Sequence, residues 1–214
     1  DRLEIKNALA YARLINNRDD DTAIERVINT PTRGIGNKTI DTVRDFAREH
    51  QLSMWAAIGQ VLEQKLLTAR ASNALLVFVH LINRLDAESD DMSLDDVLDQ
   101  TINSSGLIDL YKKEKGEKGQ ARIENLQELV IAARQFTADD DSLSPLQQFL
   151  DSAALDAGEQ QADEHQDSVQ LMTLHSAKGL EFPLVFLVGM EENLFPHKMS
   201  LEESGRLEEE RRLC

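Results

Sequence analysis

The sequence predicts a mainly α protein that runs into a partial α/β segment of two strands and a helix. Three observations carry that prediction. Hydrophobic residues make up 41% of the chain but aromatic ones only 5%, so the core is built from Leu, Ile, Val and Ala. Apolar residues recur at helical spacing through most of the chain, in segments whose Ala, Leu, Gln, Glu and Arg favour helix over strand. Near Asp167 the texture changes to short, continuous apolar runs.

Each element follows in order. Ile5, Ala8, Leu9, Ala12 and Ile15 fall on one face and predict a helix over Leu3 to Asn16. A second, short helix is expected from Ala23 to Asn29. Asn37 sits where an N-cap belongs, and Ile40, Val43, Phe46 and Ala47 give the next helix its buried stripe. Further helices are predicted at Met54 to Leu67, Thr68 to Leu85, Leu94 to Ile102, Gln120 to Phe136 and Pro145 to Leu155. Ser93 and Ser144 are placed to cap two of these, the second with Pro145 in the first turn. Two short apolar runs follow, "VQLMTLH" from Val169 and "PLVFLVGM" from Pro183, joined by the loop "SAKGLEF". They read as buried strands, and Ser200 with Glu203 forms a capping box for a last helix. A domain boundary is expected at about Gln166, which separates residues 1–166 from 167–214.

Charge narrows the function. The formal net charge is −16, which argues against a general polyanion binder, because phosphate affinity comes from cations that release counterions. The acid is unevenly placed. Residues 86–99 and 139–164 hold Asp and Glu but no Lys or Arg. Basic residues gather instead at Arg33, Lys38, Arg44 and Arg48, and at Lys112, Lys113, Lys115, Lys118 and Arg122. The single cysteine, Cys214, allows no internal disulfide or cysteine metal site, which suits a reducing cytosol. No signal peptide is visible, and "PLVFLVGM" is far short of the roughly 20 residues that span a bilayer. The chain starts on Asp1 and stops on "EEERRLC", and reads as a piece of something longer.

Two loops carry residues suited to chemistry. In "TPTRGIGNKTID", Thr30 to Asp41, Gly34 and Gly36 stand one residue apart between two helices. Such a pair either turns the chain or bares backbone amides for a phosphate, since glycine takes φ > 0 and removes the Cβ that blocks close approach. In the second loop, Thr173, His175, Lys178, Gly179 and Glu181 cluster beyond the first predicted strand, where ligands bind in α/β sheets. A surface turn closed by polar residues is the plainer reading. Trp55 and Phe46 lie on amphipathic helices as core residues, and His50, His80 and His165 lack metal-ligand spacing.

Here a resemblance becomes specific. "VQLMTLHSAKGLEFPLVFLVGMEENLFPH" with "EEERRL" resembles motif V and the approach to motif VI of the UvrD/Rep/PcrA family of superfamily 1 DNA helicases. "EIKNALAYARLI", "NTPTRGIGNKTID" and "GEKGQARIENLQELV" resemble the family's helical 2B subdomain. The resemblance implies a parent that hydrolyses ATP with Mg²⁺ between two RecA-like domains and moves 3′ to 5′ on single-stranded DNA. Nucleotide excision repair and mismatch repair are the settings it implies, in a nucleoid-associated cytoplasmic protein. Residues 1–166 would be 2B, and residues 167–214 the start of the RecA-like 2A domain. Arg33, Gly34, Ile35, Gly36, Lys38 and Thr39 would form the GIG contact to the duplex backbone. Thr173 and His175 would link the nucleotide site to the single strand, Glu181 would lie near the nucleotide sugar, and Lys178 and Gly179 would shape that loop. Phe195, Pro196 and His197 match a family loop without a defined role.

A complete catalytic site is not expected. No G-x-x-x-x-G-K-[ST] phosphate cradle occurs in the sequence, and phosphoryl transfer needs cradle, metal and arginine together. The chain alone is therefore expected to be inactive and to bind no cofactor tightly. Its partners would be duplex and single-stranded DNA, the other motor subdomains and repair proteins, with no membrane. The alternative is a regulatory protein-interaction module that restrains the motor and has little DNA affinity of its own.

Overall fold

The structure, a computed structural model, describes residues 2–114, 116–157, 169, 171–173, 176–177 and 180–191. The chain divides into two units, residues 1–161 and 162–214.

The first unit is helical. Its central element is α1 (Leu3–Asn16), which packs against α2 (Asp21–Val27), α5 (Ala69–Ser89), α6 (Leu94–Ser104), α8 (Glu117–Gln135) and α9 (Pro145–Ala157). Ala8, Ala10 and Ala12 let neighbouring helices approach α1 closely, and Tyr11, Leu14 and Ile15 fill the space between them. Arg18 closes the C-terminal end of α1. Its guanidinium donates to the Leu14 and Ile15 carbonyls, pairs with Asp86 at 2.9 Å and lies over the Trp55 ring.

The ends of the helices differ from the sequence expectations in instructive places. Asn37 is not the cap of α3 (Asn37–His50) but its first residue, and Gly36 holds the N-cap position. Both α3 and α4 (Met54–Glu63) end in Schellman closures, with Gln51 and Lys65 in the left-handed region at φ 54° and 55°. In α4 the Leu66 amide donates to the Val61 carbonyl and the Lys65 amide to Leu62, which stops the helix at Glu63 rather than Leu67. Thr68 is the cap of α5, its hydroxyl accepting from the Ala71 amide, and that helix runs on to Ser89. Ser93 occupies the N-cap of α6, yet its hydroxyl turns to the Asp95 and Asp96 carboxylates instead of a backbone amide. Ser144 does cap α9, accepting from the Gln147 amide at 3.1 Å.

One helix was not anticipated. The six-residue α7 (Leu107–Lys112) follows Gly106, which sits at φ 83°, and is too short to show a periodicity of its own. It packs against α8, which begins at Glu117, one turn earlier than its apolar pattern suggests. Where the two meet, buried and half-buried polar groups satisfy one another. Asn7 donates to the Tyr111 hydroxyl at 3.1 Å, Asn125 donates to Glu4 at 2.6 Å, and Arg122 bridges Glu4 and Glu114 while its guanidinium lies over the Tyr111 ring.

In the second unit the expected strands are not seen. Residues 180–191 run without a ladder partner, and no strand occurs among the described residues. Leu184, Phe186 and Val188 are 73%, 80% and 87% exposed. A continuous apolar run reports only that a segment suits burial; the ladder and the cover come from neighbouring elements, which the run itself does not encode. The expected boundary at Gln166, the capping box at Ser200 and the helix after it, the loop with Phe195, Pro196 and His197, and Lys115 and His165 lie outside the described residues.

Candidate nucleic-acid interface

The connection from α2 to α3 is built from the inside outward. Ile28 and Ile35 are fully buried and anchor its two ends in the core. Between them the Asn29 side chain acts as an internal acceptor, receiving the Arg33 amide at 2.8 Å and the Ile35 amide at 3.3 Å. Tyr11, reaching up from α1, donates its hydroxyl to the Thr30 carbonyl at 2.6 Å and lies 3.2 Å from that of Val27. Burial pushes the Tyr11 phenol up to about 12, against a smaller opposing pull from Arg33.

Arg33 faces the frame. Its guanidinium donates to the carbonyls of Pro31 at 3.0 Å, Val27 at 3.3 Å and Ser105 at 2.7 Å, and lies over the Tyr11 and Phe78 rings. The cation that the sequence grouped with the outer face thus braces the loop against the end of α6. Ile35, from the same group, is a core anchor.

The outer edge is open. Gly34 is in the left-handed region at φ 81°, and a Cβ placed on Gly34 or Gly36 would meet nothing within 4 Å. Gly36, at φ −82° and ψ 165°, has a backbone any residue can adopt, so neither its φ nor its surroundings demand glycine. The Gly36 carbonyl takes the amides of Thr39 at 2.9 Å and Ile40 at 3.2 Å. The amides of Gly34, Gly36, Asn37 and Lys38 have no acceptor among the described residues. They gather at the positive end of the α3 dipole, beside the exposed Lys38 side chain and the half-buried Thr39. Arg44, farther along α3, is less available, since it is held by Glu25 and Asp41, each at 2.6 Å.

In the second unit, Thr173 organises a turn. Its hydroxyl lies 2.9 Å from that of Ser176 and accepts the Ser176 amide at 3.1 Å, while its carbonyl accepts the Ala177 amide. Glu181 is exposed just beyond this turn. His175, Lys178 and Gly179 lie outside the described residues. No group of His, Cys, Asp and Glu arranged to hold a metal ion occurs among the described residues.

The sequence reading missed Asn29, Tyr11 and Ser105. Asn two residues before a proline is a turn signal, and Asn29 was legible in that sense. Ser105 contributes only a carbonyl, and no side-chain pattern encodes that.

Comparison with known proteins adds an independent line. The model of the UvrD-like helicase C-terminal domain matches residues 1–214. DNA helicase II of Escherichia coli strain K12 is 60% identical over the whole chain, that of Haemophilus influenzae 56%, and ATP-dependent DNA helicase PcrA of Bacillus subtilis 39%. The chain spans 30% of the length of each of these relatives. A match along the full chain, by a family model and by relatives this similar, places the protein in the UvrD-like helicase C-terminal domain family.

Proposed function

We propose that this chain is the 2B subdomain and the beginning of the 2A motor domain of an ATP-dependent 3′ to 5′ DNA helicase that acts in excision and mismatch repair. Within it, the loop from Arg33 to Thr39 grips the duplex backbone. The observation that carries this reading is the two-sided construction of the loop: Asn29, Arg33 and Tyr11 tie its inner side to the core, while the amides of Gly34, Gly36, Asn37 and Lys38 on its outer side are open. Backbone amides at a helix start bind a phosphate without reading bases, so contact is sequence-independent and weakens with salt. Helicase names among the relatives support the wider activity. Thr173 and Glu181 are this chain's contribution to coupling nucleotide and single strand; Thr173 fixes a turn by its hydroxyl, and Glu181 offers a carboxylate to a sugar hydroxyl. ATP and Mg²⁺ are bound by the complete helicase, which works in the cytoplasm at the nucleoid. No helix among the described residues is long and apolar enough to cross a membrane.

The test separates the grip from the fold. Gly36→Asp suits the backbone, is a better N-cap than glycine, and sets a carboxylate where the phosphate would sit. Fluorescence anisotropy with a labelled hairpin duplex is expected to show binding weakened about tenfold or more, with the melting temperature unchanged or raised. Lys38→Gln is expected to lower the slope of log K against log salt by about one. Duplex binding by Gly36→Asp equal to wild type would remove the loop from the interface.

A further inference from the structure

Outside the Gly loop, the helical unit carries a groove between α1, α2, α8 and α9 with a cavity volume of about 530 Å³. Its floor is apolar, formed by Ile5, Leu9, Leu129 and Phe149, with the small side chains of Ala132 and Ala153 widening it. Its rim is cationic: Arg2, Lys6, Arg13 and Arg26 line it, and no Asp or Glu does. In a chain of net charge −16, a lining that holds four cations and no carboxylate reverses the local sign, most clearly at Arg13 and Arg26. Arg2 interacts with Asn125 and Glu128 and Lys6 is also engaged, whereas Arg13 and Arg26 form no ion pair among the described residues. A neighbouring cleft continues past Arg13 and brings in Asp20 and Asp151, so the cationic stretch has a definite end.

We propose that this groove docks an acidic amphipathic helix of a partner protein. Apolar side chains of the guest would rest on Ile5, Leu9 and Phe149, and its carboxylates would meet Arg13 and Arg26. Charge complementarity selects this occupant over a basic or neutral one, and the apolar floor selects it over a nucleic acid backbone, which offers phosphates but no aliphatic ridge. The volume falls within the range of pockets that hold ligands of a few side chains' size. The rim charges should act mainly on the rate of encounter and the floor on residence time.

The experiment uses the whole 214-residue chain. The probe is a fluorescein-labelled helical peptide of about 18 residues with Leu on one face and Glu on the other, and its control carries Lys in place of Glu. Saturable binding of the acidic peptide alone, weakened at least about tenfold by Arg13→Glu with Arg26→Glu, is the expected result. Ala153→Gln, which fills the groove with a good helix former and removes no charge, is expected to weaken binding similarly. Circular dichroism of each variant establishes that it is folded. Absence of binding by folded wild type, or equal binding by both variants, overturns the proposal. So does displacement of the peptide by an unlabelled duplex whose own binding is lost on the same charge reversal, because the groove would then take phosphate. A concentration-dependent dimer that the reversal dissolves would assign the face to a second copy instead.

Discussion

Replacement of Tyr11 by alanine is expected to destabilise the helical unit by about 3–5 kcal/mol, the usual cost of emptying a fully buried aromatic site. Tyr11→Phe keeps the ring and loses only the hydroxyl, which serves the Thr30 carbonyl and lies within reach of that of Val27; about 1–2 kcal/mol is expected. Urea unfolding followed by helical circular dichroism measures both, and a loss below about 1 kcal/mol for the alanine variant would contradict the packing of α1. The same residue sets an alkaline limit. Its phenol is pushed up to about 12 in the folded state, whereas in the unfolded chain it titrates near its ordinary value of about 10. Between these values the folded state holds the proton that the unfolded state has lost. The contribution is complete below about pH 10 and disappears as pH rises through about 12, on the order of 3 kcal/mol in all. Tyr11→Phe should flatten that decline, and an alkaline limb as steep as that of wild type would refute the assignment.

Gly119→Ala is expected to lower stability by about 2 kcal/mol, against the usual sign of that exchange within a helix. In an exposed helical position alanine gains about 1 kcal/mol over glycine. Here Gly119 is buried at the contact of α7 with α8, and a Cβ would collide with the Tyr111 carbonyl oxygen. It would also lie 3.0 Å from the Glu114 carbonyl and 3.1 Å from the Glu114 Cβ. The struck atoms are backbone, so relief requires α7 to move away. That motion would pull Tyr111 from Asn7 and loosen the Arg122 bridge to Glu4 and Glu114. Gly116→Ala is a control of a different kind: no atom lies within 4 Å of its Cβ, but its φ of 78° makes the cost conformational alone. A stable Gly119→Ala variant with Tyr111 still on Asn7 would mean the helices are less tightly apposed than described.

The contrast between these helices and the Gly loop explains what was legible in the sequence. α1 could be read to the residue because its apolar face repeats over four turns, and a repeating pattern survives errors at single positions. α7 could not, since six residues hold too little pattern, and its position depends on Gly119, whose significance lies in a contact with Tyr111 rather than in a local preference. The ends of α3 and α4 are set by side chains in the left-handed region, Gln51 and Lys65, where glycine would have been the visible signal. In the loop, the glycines were legible as a pair, but their roles were not. Gly34 sits at a positive φ whereas Gly36 has a backbone any residue adopts, and only the folded structure separates the two. Arg33 was grouped with the outer face on charge; three carbonyls, one of them 72 residues away at Ser105, turn it inward. The two apolar runs after Asp167 were read as strands by composition, which cannot supply the neighbours a ladder requires.

The link from Arg33 to Ser105 has a mechanical consequence. A loop joining two helices is ordinarily the compliant part of a helical domain, absorbing displacement by rotation about its own soft dihedrals. This one is tied to the end of α6 by a guanidinium, with Pro31 against the bare face of Gly106 and Asn29 fixing its interior. Tension applied at the Gly34 edge therefore passes directly into α6, and through its contact into α8, with little lost to stretching of the loop. So braced, the loop is expected to move with the helices behind it rather than independently of them.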